Sequence, residues 1–428
     1  MPPGAHNVPA QPVRLAFVIP TRNRAELAQR ALDSVLSQLP DGSVIVVSDN
    51  STQVQSRTTL QTYIEGLARG DVTYLRPPED LAMPAHWDWA LIQAESIRSI
   101  THATVLTDRM IFKRGALARL AALVAETPRS IISYNHDMVN DYSFPVRLEC
   151  AAWSGIALKV TAARLLELSS ALSYDTALPR MFNSIAPVEH IQQIRAAFGN
   201  VFNSIAPDYC FAYRTLSQVQ SVRYIDEAFL VHGSLARSNA ISYARGQASP
   251  DHVDFVARLA EGSVAPAAPV PGFETNANAM ISEYELVRHQ TGLARFVAVD
   301  MEAYFARIGL EISKIRDPVA ASAMGALLEE TRGGSGTALR STMRARIGRL
   351  PSRRLGYLVS VLFAAVVSSW PTKTLWKRLG VSPPRTRWFR FQDSHEAFEF
   401  AQSPGRRASR THPALRSFAT RAAHDGDS

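Results

Sequence analysis

The chain has 428 residues, 46% of them apolar and 20% charged, which suits a folded soluble protein of one large domain or two ordinary ones. Two cysteines, Cys150 and Cys210, exclude a disulfide framework and suit a reducing compartment. The net charge of +8 belongs to the C-terminal region, where residues 331–428 hold 18 Lys/Arg against 5 Asp/Glu, leaving 28 against 33 in the rest, so the basic balance is no sign of a nucleic-acid-binding catalytic domain.

Residues 1–13 read as a disordered leader without the basic-then-apolar pattern of a signal peptide, so a cytoplasmic location is expected. Residues 14–135 alternate strand and helix patterns. The apolar run Leu15 to Ile19 ends in Pro20-Thr21-Arg22-Asn23-Arg24. A helical stripe of Leu27, Ala31, Leu32, Val35 and Leu36 follows, then a second run, Val44 to Val47, ending in Ser48-Asp49-Asn50-Ser51-Thr52. Strand, helix, strand at this spacing predicts a βαβ unit and a parallel sheet, whose ligands bind at the carboxyl ends of the strands. Asp49 stands at such an end, with turn capping as its plainer role. Further along, the pattern predicts a helix at 54–69, a strand at 72–75, a Pro-bearing loop at 76–80, a helix at 84–98, a strand at 103–106, a helix at 114–126 and a strand at 130–134. The class is α/β. The first turn has no glycine-rich loop, which argues against a dehydrogenase.

Residues 136–245 are less regular and are assigned to the acceptor side. Phe182-Asn183-Ser184-Ile185-Ala186-Pro187 recurs as Phe202-Asn203-Ser204-Ile205-Ala206-Pro207, and two copies make no solenoid. Asp208 opens a helical pattern after Pro207. Residues 246–277 read as an Ala/Pro/Gly-rich linker, 278–330 as helical, and 331–428 as a basic helical extension and tail. Within that extension, Leu355 to Trp370 is an uncharged stretch of 16 residues with basic flanks, shorter than the ~20 a spanning helix needs. It suits either a peripheral contact with an anionic membrane surface or a buried core helix. An amphipathic helix is predicted at 391–401.

The opening stretch resembles the family 2 glycosyltransferases of the GT-A fold, a Rossmann-like, mostly parallel sheet flanked by helices. Pro20-Thr21-Arg22-Asn23-Arg24 matches the family's P-T-x-N-R turn, and Val47-Ser48-Asp49-Asn50-Ser51-Thr52 its V-D-D-x-S-x-D strand end, with Ser48 replacing one acid. The resemblance covers residues 14–245. It implies an inverting, hexosyltransferase-like enzyme that moves a sugar from a nucleotide-diphosphate sugar to a glycan or lipid-linked acceptor, in polysaccharide or lipid-linked glycan synthesis at the inner face of the membrane.

The same resemblance implies roles for particular residues. Asp49 and Arg76 would hold the nucleoside, with Thr21 and Arg24 as companions. Val105-Leu106-Thr107-Asp108-Arg109 stands where the family carries Asp-x-Asp, so Asp108 would bind donor and a divalent metal, Mn²⁺ or Mg²⁺. Arg109 departs from the motif; with one carboxylate left, it could supply the phosphates with positive charge directly. Gly155, in Trp153-Ser154-Gly155-Ile156, resembles the glycine that lines the sugar site, with a β-bulge as the alternative. Asp208 would be the catalytic base, or a helix cap. His232 would be a further metal ligand, or structural, and Arg237 would meet the diphosphate. Two rival readings share the layout: a catalytically inactive nucleotide-binding partner, favoured by the missing acid, and a sugar nucleotidyltransferase, disfavoured by the glycine-free first turn.

Overall fold

The computed structural model describes residues 12–141, 144–150, 153–173, 177–203, 206–233, 267–270, 273, 275–315, 317–334 and 387–402. The opening alternation is strand β1 (Leu15–Thr21), helix α1 (Ala25–Leu36), β2 (Val44–Asp49), α2 (Val54–Gly66), β3 (Val72–Leu75), α3 (Met83–Glu95) and β4 (His102–Val105). β1 pairs parallel with both β2 and β4, and β2 with β3. Every residue of β1 is buried because the sheet is covered on both faces. Leu15, Phe17 and Ile19 face a core shared with α1 and the later helix α4 (Ala116–Glu126), while Ala16 and Val18 face one shared with α3. Alternate side chains of one strand thus serve two cores, and the run reads as continuously apolar.

Beyond β4 the sheet becomes mixed. β5 (Met110–Phe112), β6 (Ile132–Asn140), β7 (Val146–Cys150), β8 (Ala157–Thr161), β9 (Ser184–Pro187) and β10 (Ser221–His232) follow in the chain. β9 lies antiparallel between β4 and β6, so β6 runs parallel to β4. β10 pairs parallel with β6. The carboxyl ends of β1, β2, β3, β4 and β10 therefore share one edge of the sheet, which is the condition for a common site.

Helices α5 (Ala162–Ser170), α6 (Val188–Phe198) and α7 (Pro207–Gln218) pack with α3 in the core that Ala16 and Val18 face. The Arg195 guanidinium of α6 bonds Asp88 of α3 at 2.8 and 2.9 Å and also meets Glu95, and Asp88 accepts the Val201 N–H at 2.8 Å. Trp87 stacks edge-on against Phe202, so this tryptophan is a packing residue. The two copies of the repeated hexapeptide do different work. The first forms a 3₁₀ turn and β9; Asn203, in the second, accepts the Cys210 thiol ahead of α7.

A helical lobe follows, with α8 (Asn276–Thr291), α9 (Met301–Ile312) and α10 (Pro318–Gly334). Val270 and Phe273, near the end of the expected linker, are buried in this lobe's core, and the stretch 234–266 lies outside the described residues. α8 seats Tyr284 edge-on to Tyr213 of α7, with centroids 5.4 Å apart. It also buries Glu283, whose carboxyl is pushed up to about 8 by burial, against the pull of Arg214. The unfolded chain releases that proton near the ordinary glutamate value of 4.5 and the folded one only near 8, so stability falls between those pH values, by about 1.4 kcal/mol per pH unit at most. Glu283→Gln is therefore expected to flatten the decline of thermal stability from pH 5 to pH 8. An unchanged slope would refute the assignment.

The C-terminal region corrects one expectation. Residues 387–391, within a stretch expected to be helical, form strand β11 (Arg387–Phe391), antiparallel to β7, and α11 (Ser394–Gln402) follows. Trp, Phe and Phe in five residues favour a pleated strand, and Phe389 and Phe391, two apart, share a face on which Phe400 packs. The apolar segment 355–370 lies outside the described residues. No helix among the described residues is long and apolar enough to cross a membrane.

Candidate active site

The turns that follow β1 and β2 are stitched together. Asn23, at φ 54°, offers its side-chain oxygen to the backbone N–H of Thr52 and Gln53 at 3.0 and 2.9 Å, and its own N–H donates to Ser51 Oγ at 2.7 Å. A left-handed conformation is one that asparagine tolerates. Arg22 donates to the Asn50 carbonyl at 2.9 Å and pairs with Asp80. The P-T-R-N-R turn thus fixes the rim of the site.

Two of the expected donor residues are held within turns of the chain itself. Asp49 is fully buried, with Oδ1 accepting the Ser51 N–H at 2.8 Å and Oδ2 accepting the Tyr74 hydroxyl at 2.9 Å. Each oxygen has one partner inside the protein, so Asp49 holds the turn and orients Tyr74. Beside it, Ser48 meets His86 Nε2 at 2.8 Å; burial pulls that imidazole down to about 3, so it stays neutral. Gly155, at φ 74°, donates its N–H to the Asp226 carbonyl at 2.8 Å, while Ser154 Oγ donates to the Asp226 carboxylate at 2.7 Å. Asp226 lies six residues before His232 on β10, roughly 20 Å at strand rise, so Gly155 belongs to a bulged turn away from the cluster below. Arg76 is exposed at the end of β3 and reaches the Ser51 carbonyl at 3.2 Å, on the rim.

The remaining residues converge. Thr21, the last residue of β1, donates its hydroxyl to Asp108 Oδ2 at 3.0 Å. Arg24 stands 3.5 Å from Asp108 Oδ1. Arg109, in the turn between β4 and β5, donates to His232 Nε2 at 3.0 Å and lies 3.5 Å from the Gly233 carbonyl. The Gly233 N–H returns a bond to the Arg109 carbonyl at 3.0 Å. Because a guanidinium can only donate, Nε2 is the acceptor and the imidazole proton sits on Nδ1. Burial, then Arg109, His136 and Arg180, hold His232 far below its ordinary value and hence neutral. Burial and the neighbouring Arg24 pull Arg109 down to about 10, with Asp108, Asp141 and Asp208 opposing, so it remains a cation at neutral pH.

Asp208 is the second residue of α7, partly exposed, and the backbone N–H groups of Asp208 and Tyr209 stabilise its carboxylate. Burial raises its pKa, while Arg180 and Arg109 pull it back. Arg180 is the residue the sequence reading missed. Its guanidinium stacks 4.5 Å over Phe182 and 5.7 Å from Tyr209, and its buried Nε has no hydrogen-bond partner. Only its place just ahead of the first hexapeptide copy could have drawn attention to it. Arg237 lies outside the described residues.

A divalent cation does not fit these groups as they stand. Hard cations need several oxygens. Asp108 is already met by Thr21 and Arg24, and the His232 lone pair is taken by Arg109. Among the described residues no three His, Cys, Asp or Glu side chains gather to hold a metal.

A parallel β3–β2–β1–β4 sheet with helices on both faces, carrying polar groups at its carboxyl edge, defines a GT-A-like α/β domain. Residues 16–165 match the model of glycosyl transferase family 2. Among solved structures, Staphylococcus aureus TarS is similar at 15% identity and TM-score 0.41 over 74% of this chain. This chain covers 53% of that one, about half its length. TarS residues 1–349 in complex with UDP-GlcNAc align at 12% identity and TM-score 0.42, covering 75% of this chain and 92% of that one. The UDP complex aligns at 14% and 0.41 with the same coverage. No curated protein matches the chain.

Proposed function

We propose that the protein is an inverting glycosyltransferase that moves a sugar from a nucleotide-diphosphate sugar to an acceptor hydroxyl. The observation that carries the reading is the meeting of one ionisable base, Asp208, with the Arg109 and Arg180 guanidinium groups at the sheet edge that also bears Asp108. In the reaction, Asp208 takes the proton of the acceptor hydroxyl. The oxygen attacks the anomeric carbon from the face opposite the diphosphate. The bond to the diphosphate breaks, its oxygen keeps the electron pair, and the configuration inverts. Charge develops on the leaving phosphate, where preorganised donors contribute most. Arg24 and Arg109 are the guanidinium groups whose charge acts beside Asp108. A glycan or lipid-linked acceptor, polysaccharide or lipid-linked glycan synthesis, and a cytoplasmic setting against the inner face of the membrane remain part of this proposal and rest on the family resemblance.

The test is calorimetry of the full chain with UDP, GDP, dTDP and CMP, followed by release of that nucleotide from its sugar conjugate in the presence of acceptor glycans. Saturable binding of one nucleotide together with turnover supports the reading. Binding without turnover favours a non-catalytic nucleotide-binding partner, a reading to which the single acid at Asp108 lends weight. Absence of binding would sink both.

A further inference from the structure

We propose that the Arg109 guanidinium is the built-in cation for the donor's diphosphate, and that His232 and Gly233 hold this arginine in place. This rests on the nucleotide-sugar reading above. Arg109 is fixed at both ends. Its backbone carbonyl accepts the Gly233 N–H at 3.0 Å, and its side chain donates to His232 Nε2 at 3.0 Å. The residues on either side are pinned as well, since Leu106 donates to the Val18 carbonyl at 2.8 Å and Met110 to the Thr107 carbonyl at 2.9 Å. A guanidinium held by its own backbone and by a neutral imidazole has lost its rotamer freedom before any ligand arrives, which is the condition for a strong phosphate contact.

Only one arm of the fork is used. The bonds to His232 and Gly233 both come from a single terminal nitrogen, and the other terminal nitrogen and Nε have no partner among the described residues. Those two N–H-bearing edges suit bidentate capture of two phosphate oxygens. The surroundings agree: Asp108 is satisfied by Thr21 and Arg24, the His232 lone pair points at Arg109, and the Arg180 Nε is buried without a partner in the same cluster. Asp108 and His232, the two residues expected to ligate a metal, are each turned toward a cation that the chain itself supplies. His232 is thus a positioning residue, acting through Arg109.

The experiment is calorimetric titration of UDP, GDP, dTDP and CMP into the full chain, in chelator and again in Mn²⁺ and in Mg²⁺, for the unmodified protein, Arg109→Gln and Arg109→Lys. The expected result is one nucleoside diphosphate bound with the same affinity, within about twofold, with and without metal. Arg109→Gln should weaken it at least about tenfold at an unchanged melting temperature, with Arg109→Lys between the two. The corresponding nucleoside, lacking phosphates, should bind both variants as it binds the unmodified protein. Binding that appears only with Mn²⁺ or Mg²⁺ overturns the inference while leaving the function reading intact, and so does full affinity in Arg109→Gln. No binding of any nucleotide in any buffer overturns the function reading and this inference together.

Discussion

Asp208→Asn is expected to lower sugar transfer by about 10²- to 10⁴-fold, the usual worth of a positioned general base, while nucleotide affinity stays within about twofold. Amide and carboxylate are nearly isosteric, so α7 keeps its first turn; what disappears is the capacity to accept a proton. Burial is the largest influence on this carboxyl and raises its pKa above 3.8, with Arg180, the local backbone N–H groups and Arg109 opposing. The base works only when ionised. Turnover should therefore rise with pH through an inflection above that of an ordinary aspartate and be lost as pH falls through it. Asp208→Asn should abolish that acid limb along with the rate. Single-turnover kinetics against pH, beside nucleotide calorimetry on the same preparation, check both halves. Retention of transfer would remove Asp208 from the chemistry, and loss of nucleotide binding would reassign it to holding the donor.

What the sequence made legible follows from periodicity. β3 falls at 72–75 as predicted, and α2, α3, α4 and β4 each begin within two residues of expectation, because local apolar patterns and proline breaks fix them. Thr21, Arg24, Asp108, Arg109 and His232 converge because they stand at or just beyond the carboxyl ends of β1, β4 and β10, and Asp208 meets them from the first turn of α7. Asp49 shows where such reasoning stops. Its place at a strand end was legible, but its partners, Tyr74 and the Ser51 N–H, come from the next strand and the following turn. Arg180 was illegible because its meaning depends on Phe182 and Tyr209, one of them 29 residues away. The basic extension hid β11 because charge composition masks a two-residue period over only five residues.

The second large effect is expected at Gly233, which joins the end of β10 to Arg109. A β-carbon here would overlap Cζ of Phe398 and stand 2.7 and 2.9 Å from its Cε2 and Cε1. Phe398 cannot step aside cheaply. It is buried on α11 with Ala397 and Ala401, against Val139, Leu148 and Val231, and the Arg30 guanidinium lies 5.0 Å over its ring. Gly233→Ala should therefore destabilise the protein by roughly 1–3 kcal/mol, as overpacking of a close-packed core does. It should also weaken nucleotide binding, because the same backbone segment carries the Gly233–Arg109 bonds. Phe398→Leu alone should cost less, and in the double variant it should return part of both losses, since the two changes share one contact. Melting curves and nucleotide titrations of the four proteins measure this coupling. Additive losses would mean that Phe398 does not press on Gly233. Recovery in the double variant would tie the C-terminal α11, 165 residues downstream, to the phosphate site through a single ring-to-backbone contact.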